Sequence, residues 1–95
     1  EREPIGVWGQ RHLNHIQKYC KPFYNKMVNE HTLYDYLLQL DHDAQDTFNR
    51  LVKQMAEREG VTEQLKADNQ MEWVGRMNNI RQSATEIVNR DLIYN

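Results

Sequence analysis

The sequence predicts an all-α fold: four helices, dominated by a long C-terminal antiparallel helical hairpin. Apolar residues recur three and four positions apart through two long stretches, which is the helical period. Pro and Gly punctuation is confined to Pro4, Gly6, Gly9, Pro22, Gly60 and Gly75. No Asn-Gly or Asp-Gly pair separates alternating apolar runs, so strand hairpins have no support.

The first helix is expected over about residues 7–19, with Trp8, Leu13, Ile16 and Tyr19 on one side. Pro22 ends it, because the residue before a proline is pushed out of the α region. The same proline can open a short second helix over about 22–29. Thr32 is the expected cap of a third helix over about 33–59, with Asp35 favouring the positive end of its dipole. Its stripe contains Leu37, Leu40, Ala44, Phe48, Leu51, Val52 and Met55. Gly60 is placed to end that helix in the left-handed conformation. Thr62 then caps a fourth helix over about 63–93, whose seam is Trp73, Met77, Ile80, Ala84 and Ile87. The brief link "EGVT" makes the last two helices an αα-hairpin.

Two residues break the last helix's pattern. Gly75 falls on its outer side, where glycine costs about 1 kcal/mol relative to alanine but opens no hole. Arg81 falls inside the apolar arc, where a guanidinium needs a carboxylate or several carbonyls. Asp41 interrupts the arc of the facing helix, between Leu37 and Phe48. If Glu59 faces Glu63 across the turn and both helices are straight, Asp41 and Arg81 arrive at one level. A partly buried, bidentate Asp41–Arg81 ion pair that fixes helix register is therefore expected.

Composition bounds the function. The chain has 95 residues, 39% of them hydrophobic and 27% charged, with a formal charge of −2. That balance argues against a strongly basic nucleic-acid binder. Residues 1–31 carry five Lys/Arg against three Asp/Glu, residues 32–72 four against nine, and residues 73–95 three against two. No apolar run is long enough to span a membrane. One cysteine, Cys20, forms no internal disulfide and fits a reducing cytoplasm. The opening "EREPIG" has neither an initiator Met nor an apolar leader segment, which suggests a piece of a longer chain.

Candidate chemistry is thin. His12 and His15 lie three apart with Cys20 following, yet nothing enforces further ligands from His31 or Asp41-His42-Asp43, so surface or half-buried histidines are the better reading. Ser83, the only serine, is mid-helix, where backbone amides cannot form an oxyanion hole. No phosphate-cradling glycine loop is present. The expectation is no catalytic, cofactor or metal site. The exterior of the last helix is rich in arginine and amides, and Arg76, Asn79 and Gln82 form the expected contact surface. Arginine and asparagine do read base edges, although Glu72 before Arg76 is also an ordinary i, i+4 surface pairing.

The stretches "PIGVWGQRHL" (residues 4–13), "YLLQLD" (36–41) and "EGVTEQLKADNQMEWVGRMNNIRQSATEIVNRDLIY" (59–94) closely resemble TnpV-like transposon-encoded proteins. The resemblance covers nearly the whole chain; "NHIQKYCKPFYNKMVNEH" is its least typical part. It implies association with a bacterial mobile element and supplies no catalytic residues. The length fits a single helical domain over 1–95, and the resemblance implies that it lacks an N-terminal extension usual in the family. The expected function is that of a cytoplasmic, non-enzymatic accessory protein contacting element-encoded recombination proteins or DNA. The alternative is a structural module that forms homo-oligomers or binds partner helices, using aromatic surface from Trp8, Tyr19, Phe23, Tyr24, Tyr34 and Tyr36.

Overall fold

The apolar stripes need partners, and the computed structural model, which describes residues 2–95, supplies them within an all-α fold of five helices. These are α1 (Val7–Tyr19), α2 (Lys21–Asn29), α3 (Leu33–Glu59), α4 (Glu63–Asp68) and α5 (Gln70–Val88). A π-helical turn, Asn89–Ile93, follows α5 directly. At 27 residues α3 is the spine, about 40 Å long at 1.5 Å per residue. Both α1 and α5 lie along it, so the core is shared among three helices.

Two apolar clusters are strung along α3. The first joins Trp8, Ala44, Val88 and Ile93, with Leu40, Phe48, Leu51 and Leu92 packed around them. The second, toward the end of α3, joins Val61, Met77 and Ile80 with Val52, Met55, Ala56, Leu65 and Trp73. Ala44 and Ala84 are wholly buried, and small side chains there let neighbouring helices approach closely. On α1, Trp8 and Ile16 are inside, whereas Tyr19, expected on the same face, is 67% exposed. His12, expected at or near the surface, takes an interior place beside them at 5% exposure.

The end of α3 follows from its sequence. Gly60 has φ +69°, its N–H bonds the Glu57 carbonyl, and the Val61 N–H reaches back to the Ala56 carbonyl. That is the Schellman closure, with Val61 buried against Ala56. The Thr62 hydroxyl then accepts from the Leu65 N–H at 3.1 Å and caps α4. His31 closes α2 in the same way at φ +58°, a conformation that L side chains rarely adopt. Thr32 departs from expectation. Its hydroxyl turns back toward the Met27 carbonyl and makes no cap bond to α3.

The fourth predicted helix is not continuous. Asn69 (φ −150°, ψ 83°) separates α4 from α5 and caps the latter, its Oδ1 accepting from the Glu72 N–H at 3.2 Å. A short amide that bonds nearby backbone offers the chain an alternative to continued helix, and here the alternative wins. The break moves the register. With a straight rod from Glu63, Ala44 would face Asn78; in the structure it shares its cluster with Val88.

Candidate contact surfaces

The polar residues singled out in the sequence divide into those consumed by the architecture and those left at the surface. Asp41 belongs to the first group. Its Oδ1 accepts from the Gly9 N–H at 2.9 Å, so a side chain of α3 satisfies an orphan amide in the first turn of α1. The cap residue of α1 is Gly6, which has no side chain to do this. A Cβ on Gly6 would lie 2.7 and 2.8 Å from the two Asp41 carboxylate oxygens. Its backbone is ordinary extended chain (φ −79°, ψ −172°), so glycine is required for space, not for conformation. Gly9 is equally constrained: a Cβ would collide with Ile5 Cγ2 and meet the Leu37 carbonyl at 3.1 Å. The "PIGVWGQ" segment is thus shaped to receive Asp41 and lay α1 against α3.

The predicted Asp41–Arg81 pair is not formed. Arg81 is exposed, lies along a groove with Phe48, Asn49 and Val52, and joins no ion pair among the described residues. The shifted register separates the two charges, and Asp41 finds its partner on α1 instead.

His12 is the second consumed group. Nδ1 lies 2.8 Å from the Ile93 carbonyl and Nε2 lies 2.7 Å from the Tyr36 hydroxyl. A carbonyl only accepts, so Nδ1 carries the proton; in the neutral ring Nε2 then accepts from the Tyr36 O–H. One imidazole ties α1, α3 and the π-helical turn together, with both nitrogens occupied. Burial raises the Tyr36 phenol above its ordinary value, and Cys20 nearby adds to this. His15 stacks between Tyr19 and Tyr94, with ring centroids 5.4 and 5.5 Å away. Among the described residues, no group of three or more His, Cys, Asp or Glu side chains could hold a metal ion.

Two surfaces remain. One is the outer face of α5, where Arg76, Asn79 and Gln82 are exposed at successive three-residue steps. Arg76 leans toward Glu72 at 3.7 Å and makes a long contact with the Glu59 carbonyl. The side-chain amides of Asn79 and Gln82 have no hydrogen bond within the described chain. Beside them Gly75 opens onto free space, with nothing within 4 Å of where its Cβ would be. The other surface is an open groove of about 600 Å³ where α3, α4 and α5 converge. Its floor is apolar, with Phe48, Val52, Ala56, Val61, Trp73 and Met77, and its rim carries Lys53, Arg81, Glu57 and Glu63. Sequence periodicity assigns Phe48, Val52, Trp73 and Met77 to a sealed core, does not place Ala56 or Val61, and gives no sign of the opening that the α4–α5 elbow leaves.

The family model for the transposon-encoded protein TnpV matches residues 1–93. The chain belongs to the TnpV family. No curated protein and no solved structure matches it. The three stretches that carry the TnpV resemblance coincide with the joint just described: "PIGVWGQRHL" holds Gly6, Gly9 and His12, "YLLQLD" holds Tyr36 and Asp41, and the third runs through Ile93. In this TnpV-family chain those residues meet at the crossing of α1, α3 and the π-helical turn. No described helix is long and apolar enough to cross a membrane.

Proposed function

We propose that this TnpV-family chain is a non-enzymatic accessory protein of a bacterial mobile element. It works in the cytoplasm by docking to element-encoded recombination proteins through the outer face of α5. The observation that carries this reading is where the polar chemistry goes. The carboxylate of Asp41 caps a helix, and both ring nitrogens of His12 hold helices together. Among the polar groups left unspent are Asn79 and Gln82 beside Arg76, presented on one face of a 19-residue helix. The α3–α5 pairing serves as the scaffold that holds this face straight.

Protein contact is favoured over DNA contact. The net charge is −2, and the one arginine in the triplet already leans on a carboxylate. A duplex binder neutralises several phosphates and weakens steeply with salt. The test has two arms. Co-expression with the recombinase of the same element should yield a complex that Arg76→Ala, Asn79→Ala and Gln82→Ala together disrupt. A gel shift over element-end DNA should show no salt-sensitive binding. DNA binding without a recombinase complex would replace the reading.

A further inference from the structure

The shape of the molecule is unusual for a chain of this length. Its radius of gyration is 16.8 Å, against about 12 Å expected for a compact domain of 95 residues. The extents are 55 × 30 × 18 Å, which is two helices thick. The accessible surface is 6680 Å², whereas the scaling for folded monomers gives about 5,800 Å² at 11.5 kDa. The excess of roughly 900 Å² is close to what one partner contributes to a standard-sized interface, about 800 Å².

The groove between α3, α4 and α5 has the chemistry to use that surplus. Its lining follows α3 from Phe48 to Glu57 and returns along α5 from Trp73 to Arg81, so it has two distinguishable ends. Arg81 and then Lys53 lie toward one end, and Glu57 and then Glu63 toward the other, at the Gly60 turn. None of these four is in an ion pair among the described residues, even though Lys53 and Glu57 have the i, i+4 spacing. A groove that is positive at one end, negative at the other and apolar between is complementary to itself after a half-turn.

We propose that the occupant of this groove is a second copy of the chain, docked about a two-fold axis near Ala56. In that arrangement Lys53 of one copy faces Glu57 of the other, and Arg81 faces Glu63, each contact occurring twice. The apolar floors, with Val52, Trp73 and Met77, are covered between them. An isologous contact of this kind closes on itself and gives a dimer, not a filament. The outer face of α5 stays free, because Arg76, Asn79 and Gln82 are not among the residues lining the groove. The inference deepens the docking-protein reading, which assigns that free face to a recombination protein.

The experiment is sedimentation velocity across micromolar concentrations on the wild-type chain, on Arg81→Glu and on Glu63→Lys. Both sites are exposed, so both variants should keep wild-type helicity by circular dichroism. The wild type should dimerise. Each variant alone sets like charges opposite one another twice and should self-associate at least about tenfold more weakly. An equimolar mixture of the two should recover the wild-type dimer, because both contacts become opposite in sign. A wild-type monomer throughout, or variants that dimerise as well alone as mixed, would overturn the proposal. Failure here is separable from failure of the docking reading. A strict monomer that still binds the recombinase removes the second copy only, and a charge-swappable dimer that binds no recombinase upholds the second copy.

Discussion

Replacing Gly6 with serine should have opposite signs in two backgrounds, because Asp41 occupies the space a side chain would need. In the wild type, the new Cβ arrives 2.7 Å from one carboxylate oxygen of Asp41 and 2.8 Å from the other. That carboxylate cannot retreat without leaving the Gly9 N–H, which it holds at 2.9 Å. Loss of a helix cap costs about 1 kcal/mol, so Gly6→Ser alone should destabilise by about that amount. Asp41→Ala alone should cost about the same, leaving the amide without its acceptor. Once Asp41 is alanine the space is open, and a serine at the cap position can accept from the first-turn amide itself. Gly6→Ser should then stabilise by about 1 kcal/mol. The coupling between the two changes is about 2 kcal/mol, far from additive. Urea unfolding of the four proteins measures it: with a slope near 1 kcal/mol/M, each step moves the midpoint by about 1 M. If Gly6→Ser destabilises equally in both backgrounds, the trans-cap account is wrong.

Three further outcomes follow from the same structure. Gly75→Ala should stabilise the chain by about 1 kcal/mol, because nothing within 4 Å opposes the added methyl; thermal unfolding should move up by about 4–8 °C. His12→Phe keeps the ring volume but strips partners from the Ile93 carbonyl and the Tyr36 hydroxyl. It should cost about 1–3 kcal/mol, with hydrogen exchange accelerated first in the π-helical turn. The Glu3 carboxylate accepts from His42 Nε2 and raises the His42 pKa above 6.5, so the pair's contribution is complete below 6.5 and lost as pH rises through the folded value. Protection factors of the amides before Gly6, which remove the intrinsic pH dependence of exchange, should therefore fall above neutral pH, and Glu3→Gln should return the His42 titration toward its ordinary position, both visible by NMR.

The helical character of the chain was legible because it is carried by local patterns. Gly60 and Thr62 announce a left-handed stop followed by a fresh cap, and the structure uses each in that role. The break at Asn69 had a signal of its own. Asparagine three residues before Glu72 is a capping arrangement, but the heptad-like seam downstream and the Thr62 cap upstream read as one rod. The effect of that break propagates. Once α4 is separate, the register of α5 on α3 shifts, and the supposed meeting of Asp41 with Arg81 disappears. The true partner of Asp41 lies 32 residues earlier, in α1, and no periodicity argument reaches so far. In the sequence Gly6 reads as punctuation before a helix and Gly9 as a glycine in its first turn. Their reason is a close approach to α3 that only the folded chain reveals. The arginine-and-amide exterior of α5 is legible as composition, and the structure adds that Asn79 and Gln82 are exposed there. The groove beside it was hidden, because residues on its floor have the same spacing whether a core is sealed or open.

The claim at the centre of this account is that the chain acts by presenting a helix face to a recombination protein of its element. Isothermal titration of the purified chain with the purified recombinase tests it most directly. Saturable binding, weakened tenfold or more by the combined Arg76→Ala, Asn79→Ala and Gln82→Ala changes, is the predicted result. Truncation of side chains at the centre of an interface typically costs more than 1 kcal/mol where they matter. Binding that is untouched by those three changes, or no binding at all, would contradict it.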